Sequence, residues 1–104
     1  RKRDMVAALN LKAGKRAVAF ADFNAAFRLF KHGVSFLPDD PWQPLRYDLS
    51  VQLFDAATEA ACITNKRRAV AFYSGQLVTH AKFFDDKLNC LYSLTKSLRQ
   101  ANAL

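Results

Sequence analysis

Residues 14–38 read GKRAVAFADFNAAFRLFKHGVSFLP, and the order of small, large and helix-breaking residues in this stretch decides the fold. Gly14 precedes Ala26 by twelve positions, Phe30 follows Ala26 by four, Gly33 follows Phe30 by three, and Pro38 closes the segment. Small residues at Gly14, Ala26 and Gly33 allow two helices to approach closely, Phe30 fills the space between them, and Pro38 stops the second helix. Ala21 and Asp22 interrupt the helical pattern, and the Asp22 carboxylate can accept a hydrogen bond from the free backbone N–H groups of the helix that follows.

The same reading extends outward. Upstream, Met5, Leu9, Ala13, Ala17 and Phe20 recur at spacings of four and three, which predicts a helix over 3–20 with that stripe buried. Phe23, Ala26, Phe27, Phe30, Val34 and Leu37 form the expected inner face of the second helix. Downstream, LPDDPWQP at 37–44 holds three prolines in seven residues and forbids a continuous helix. Leu49, Leu53, Ala56, Ala57, Ala60 and Ile63 mark a third helix over 45–64, and Val51, Phe54 and Ala61 make it apolar on a second side. A helix buried on two sides belongs between neighbours. Asn65 either ends it in the left-handed conformation or caps the next helix. Ala69, Val70, Tyr73 and Leu77 mark a fourth helix over 66–79. Leu88, Leu91, Leu94 and Leu98 mark a last one over 84–101, expected to pack on the fourth. No stretch has a sustained period of two, so no sheet is expected.

The first helix pair fits the tetratricopeptide pattern at Gly14, Ala26, Phe30, Gly33 and Pro38, whereas its early aromatic and leucine positions hold Asn10 and Ala13. A second copy lies 43 residues on, from Ala26 to Ala69, with Leu53, Ala56, Ala57 and Ala60 on its first helix and Ala69 and Tyr73 on its second. A third begins with Leu91, Leu94 and Leu98. The expected fold is therefore all-α, a tetratricopeptide-like array of antiparallel helix pairs over 3–37 and 45–80 with an extra helix over 84–101. This is a single α-solenoid domain over 1–104. The chain lacks an initiator Met and stops within a helical pattern, so a longer array is expected. LNLKAGKRA at 9–17, the 37–47 loop with Trp42, AATEA at 56–60 and AKFFDDKL at 81–88 together resemble the helical-repeat region that follows the AAA-type ATPase module of large multidomain signalling proteins. These proteins often also carry protein kinase, sensor histidine kinase or nucleotide cyclase domains. The resemblance spans nearly the full chain and implies a signalling context, but it supplies no catalytic residue. Where that family commonly has Gly-Asp at the helix turns, this chain has Ala21-Asp22 and Thr64-Asn65.

Composition and motif spacing exclude most chemistry. No apolar run approaches the ~20 residues that cross a bilayer, which predicts an intracellular, cytoplasmic setting. Cys62 and Cys90 stand alone, without CxxC spacing, and read as reduced buried thiols. Gly14, Gly33 and Gly75 are isolated within helical stretches, so no phosphate-cradling loop exists and no nucleotide cofactor is expected. His32 and His80 lie far apart without other ligands, which speaks against a metal site. His80, within Thr79-His80-Ala81-Lys82, lies near a helix end and is a poor phosphotransfer residue. Asp39-Asp40 and Asp85-Asp86 read as helix-start acids.

The chain has 16 Lys and Arg against 9 Asp and Glu, a formal charge of +7. Basic clusters lie at Arg1-Lys2-Arg3 with Lys12, Lys15 and Arg16, and at Lys66-Arg67-Arg68. They raise nucleic-acid binding as the competing function. The aromatics, however, fall mostly on the expected buried stripes rather than between the charges. The favoured reading is a non-catalytic protein-interaction or regulatory scaffold segment. Its partner would be a peptide, a protein or a neighbouring domain of the same chain. The partner would lie in the concave groove lined by the first helix of each pair, where Asn10, Lys12, Arg16, Gln52, Asp55 and Glu59 are the outward-facing candidates. The lone Trp42 in the proline loop reads as a partner's anchor or as a lid over the apolar ends of the first two helices, and the resemblance, in which that Trp recurs, implies the lid.

Overall fold

The computed structural model describes residues 2–102, with side chains through residue 96. Among the described residues the chain is all-helical: α1 (Lys2–Ala19), α2 (Phe23–Ser35), α3 (Tyr47–Ile63), α4 (Arg67–His80) and α5 (Asp85–Asn102). Each helix packs against the next, and the odd-numbered helices also touch in series, α1 on α3 and α3 on α5. One hydrophobic cluster runs from Ala7 on α1 to Cys90 on α5.

The two within-pair turns use one device twice. After α1, the Ala21 N–H bonds to the Val18 carbonyl at 2.8 Å and the Asp22 N–H to the Ala17 carbonyl at 2.8 Å, with Ala21 at φ 60°. After α3, the Asn65 N–H bonds to the Cys62 carbonyl at 3.2 Å and the Lys66 N–H to the Ala61 carbonyl at 2.9 Å, with Asn65 at φ 59°. Both ends are Schellman closures, which satisfy the last carbonyls of a helix through one left-handed residue. Asn65 thus ends α3 and does not cap α4. Asp22 caps α2 by accepting the Ala25 N–H at 3.2 Å.

Close approach between α1 and α2 depends on two glycines. A Cβ on Gly14 would lie 2.3 Å from Cε1 of Phe30, and one on Gly33 would lie 2.7 Å from Cδ2 of Leu53 and 3.3 Å from Cβ of Asn10. The α1 face that meets α2 is consequently Ala7, Leu11 and Gly14. Of the stripe expected from the sequence, Met5 (65%), Leu9 (62%) and Phe20 (79%) are exposed, while Ala13 and Ala17 are half-buried and Ala17 packs against the core. Helix α1 carries apolar residues all round, so the small-residue face wins because only it admits the Phe30 ring. On α2 the buried residues are the expected Ala26, Phe27, Phe30 and Gly33.

Helix α3 is central and touches all four others. Leu53, Phe54, Ala57, Ala60 and Ala61 are buried along it, while Ile63 at its end is exposed. Buried Thr58 donates to the Phe54 carbonyl at 2.8 Å, and buried Ser50 donates to the Pro41 carbonyl, so neither hydroxyl is left unpaired. On α4, Tyr73 and Leu77 are buried and Ala69 is half-buried against the core. Pro38 is half-buried in the loop after α2.

Three further expectations are corrected. Helix α5 seats chiefly on α3 and less on α4; among its described side chains Cys90 is fully buried, Leu88 and Leu91 are exposed, and Leu94 is the leucine that packs on the core. Leu98 lies outside the described side chains. Trp42 covers α3 and the end of α4 rather than α1 and α2, with its ring 5.0 Å from Phe54 and stacked 5.2 Å from His80. Asp40 does not start a helix; it accepts the Trp42 N–H at 3.1 Å and shapes the loop. Asp86 does lie in the first turn of α5, where it accepts the Tyr47 hydroxyl at 2.7 Å. The same hydroxyl accepts the Lys82 N–H at 2.6 Å, which joins the start of α3 to the α4–α5 turn. The half-buried Asp4–Arg46 pair, at 2.8 Å, links α1 to the loop before α3.

Gly14→Ala is expected to destabilise the chain by about 1–3 kcal/mol in urea unfolding, because the buried Phe30 ring has nowhere to move. Gly75→Ala, where an added Cβ meets nothing within 4 Å, is expected to stabilise it by about 0.5–1 kcal/mol. Ala21→Gly is expected to raise the melting temperature by relieving a left-handed alanine worth about 1 kcal/mol.

Candidate functional site

The serial contact of α1, α3 and α5 creates a groove on the side of the array that those helices share. Its polar lining is Lys15 from α1, Gln52, Asp55 and Glu59 from α3, and Asn89 from α5, over an apolar floor that includes Val18, Ala56 and Ala60. Lys15 Nζ donates to Gln52 Oε1 at 3.3 Å across the groove. Gln52, Asp55 and Glu59 share one face of α3 because they are spaced three and four apart.

Asp55 is the unusual member of this set. It is half-buried, its Oδ1 is shielded from water without a hydrogen-bond donor, and burial pushes its carboxyl above the ordinary range. A hydrogen bond from Asn89 opposes that shift, and the nearby Glu59 charge adds to it. A buried carboxylate oxygen without a donor is a costly arrangement that an incoming N–H or cationic group would relieve.

The structure brings Gln52, Asp55 and Glu59 together but places the three α1 candidates elsewhere. Asn10 is half-buried between α1 and α2 and donates to the Val6 carbonyl at 2.9 Å. Lys12 and Arg16 are exposed and do not line the groove. Lys15 occupies the position assigned to them, because seating Ala7, Leu11 and Gly14 inward rotates α1 away from the expected phase. Asn89 was missed for the same reason on α5, where its neighbour Cys90 is the buried residue.

Other chemistry-bearing residues remain dispersed. Among the described residues no group of three His, Cys, Asp or Glu side chains is placed to hold a metal ion. His32 is exposed beside Phe36, and His80 ends α4 with its ring on Trp42. The Cys90 thiol is pushed up to about 11, first by burial and then by the Asp55 charge and Cys62. That is far from a reactive thiolate. Among the described residues no helix is long and apolar enough to cross a membrane. Compared with known protein families, curated proteins and solved structures, the chain matches none.

Because burial raises the Asp55 carboxyl in the folded state above its unfolded value, the folded chain holds this proton more tightly. Stability contributed by this group therefore falls as pH rises through the carboxylate range. Asp55→Asn is expected to be more stable than the parent chain near ~pH 7, with the difference closing as the pH approaches ~4. Chemical denaturation at a series of pH values checks the sign.

Proposed function

We propose that this chain is a protein-interaction segment of a regulatory scaffold, and that its inner groove receives a peptide presenting a lysine or arginine side chain. The observation that carries the reading is the pair of carboxylates of Asp55 and Glu59 on the α3 wall of the groove, Asp55 being half-buried with its Oδ1 lacking a donor. A cationic peptide side chain pairs with the Asp55 and Glu59 carboxylates, and Gln52, Asn89 and Lys15 offer backbone-directed hydrogen bonds along the same groove. No covalent chemistry is involved.

The proposed setting is a tetratricopeptide-like array within a multidomain cytoplasmic signalling protein that carries an AAA-type ATPase module and an effector domain. The segments that carry this resemblance include 9–17 and 56–60, which lie on the inner-layer helices α1 and α3. Leu88, Leu91 and Tyr92 stand exposed on α5, an apolar face of the kind that the next helix of an array covers. In such an array a change at one pair passes to its neighbours through packed contacts such as those at Ala26 and Ala57, both of which are fully buried. The groove would then couple partner binding to the effector.

Selection from a random 12-residue phage-displayed peptide library tests the reading. Enriched peptides are expected to carry Lys or Arg, and their affinity for an Asp55→Asn, Glu59→Gln variant is expected to fall by about tenfold or more. Failure to enrich any sequence, or enrichment that the variant retains, contradicts a groove that recognises cationic peptides.

A further inference from the structure

A second surface differs from the groove in both sign and composition. Between α2 and the start of α4 an open cleft of about 770 Å³ is lined by Lys31, Lys66, Arg67, Arg68, Phe72 and the buried rings of Phe27 and Tyr73, with no carboxylate among its lining residues. Helix α4 has no acidic residue in its first turn. The acid at the start of α2, Asp22, has its Oδ1 engaged by the Ala25 N–H. Lys66 is held in place, its Nζ donating to Asn24 Oδ1 at 3.3 Å and lying 5.4 Å from the centre of the Phe27 ring. Lys31, Arg67 and Arg68 are exposed around it.

Phe72 is the informative residue. Its spacing from Tyr73 turns it out of the core, and it stands 55% exposed beside the cations while its ring is braced edge-on against Tyr73 at 5.2 Å and 76°. The aromatics therefore do not all lie on the buried stripes, and the objection that no ring stands among the charges fails at this position. A fixed, exposed aromatic next to four cations offers two things at once: charge for phosphates and a flat face for a base. An acidic peptide would use the charge but has no need of the ring. The cleft is also far larger than a lone anion requires.

We propose that this cleft binds single-stranded nucleic acid, with Lys31, Lys66, Arg67 and Arg68 neutralising backbone phosphates and Phe72 stacking on a base. Phosphate charge and stacking do not distinguish one base from another, so binding is sequence-tolerant; Asn65 is the amide in the lining. This site is independent of the groove. The two readings fail separately, because substitution at Asp55 and Glu59 leaves nucleic-acid affinity unchanged.

The test is fluorescence anisotropy of a labelled 12-nucleotide oligo-dT titrated with the 104-residue chain between about 50 and about 200 mM salt. Four phosphate contacts give a slope of log affinity on log salt of up to about −2.8, at roughly −0.7 per contact on a single strand. The Arg67→Glu, Arg68→Glu variant is expected to lose binding and flatten the slope. Phe72→Ala is expected to weaken binding about tenfold at unchanged slope, and Phe72→Trp to restore it. Phe72 is half out of the fold, so both variants retain the parent's circular dichroism. The Lys12→Glu, Arg16→Glu variant, altered in the other basic cluster, is expected to bind as the parent does. The proposal is overturned if a 12-residue oligo-glutamate competes as well as the oligonucleotide, which would mark an acidic-peptide surface. It is equally overturned if Phe72→Ala changes nothing, if affinity follows Lys12 and Arg16 instead, or if no binding is seen at the lowest salt.

Discussion

The Phe30 ring lies where a side chain on Gly14 would have to be, with ring carbons 2.3, 2.6 and 2.9 Å from the position of the missing Cβ. That contact sets how close α2 comes to α1, and it fixes which face of α1 turns inward. With Ala7, Leu11 and Gly14 seated against α2, Lys15 swings toward α3 and meets Gln52. Gly33 then lets the same α2 face reach Leu53, the fully buried centre of α3. One steric constraint thus transmits from the first pair to the central helix and from there to the groove. A side chain at Gly14 would strike the Phe30 ring, which also lines the groove, and would misplace Lys15.

A second constraint is rotational and lies in the turns. The closures at Ala21 and Asn65 have the same hydrogen-bond pattern and nearly the same φ, although only Asn65 is a residue suited to the left-handed region. Ala21 is tolerated because the turn is clamped by its own two hydrogen bonds and by the Asp22 cap that follows. Between the pairs, Trp42 provides the corresponding fixture. It packs on Phe54 and His80, while Tyr47 ties the start of α3 to Asp86 and the Lys82 backbone. The proline-rich loop is therefore anchored to the pair that follows it.

Element order and helix ends could be read from the chain because they depend on local chemistry: prolines at 38, 41 and 44, a capping Asp22, a left-handed Asn65, and apolar spacings near 3.6. The small and large positions at Gly14, Ala26, Phe30 and Gly33 were equally readable. Helix phase was not readable on α1 and α5. Met5 and Leu9 on one side of α1 are as apolar as Ala7 and Leu11 on the other, and the choice belongs to the Phe30 contact, a tertiary fact. On α5 the leucines mark the more apolar stripe, but Cys90 is smaller and fits against α3 and its Thr58. The groove depends on the same phases: Gln52, Asp55 and Glu59 on α3 line it, whereas on α1 Lys15 lines it in place of Lys12 and Arg16. Phe72 shows the converse case, an aromatic whose surface position only the neighbouring Tyr73 reveals.

The two proposed surfaces use opposite charges on different helices: acids on the inner layer at α3, and cations at the α2–α4 cleft. The groove rests on the helix rotation that the Gly14–Phe30 contact establishes, so that contact is the point at which the account is most exposed. A double-mutant cycle on Gly14→Ala and Phe30→Leu measures it directly. If the ring sets the approach of α1 and α2, Gly14→Ala costs little once Phe30 is shortened, and the coupling energy is about 1 kcal/mol or more. Additivity of the two substitutions within about 0.5 kcal/mol would contradict it.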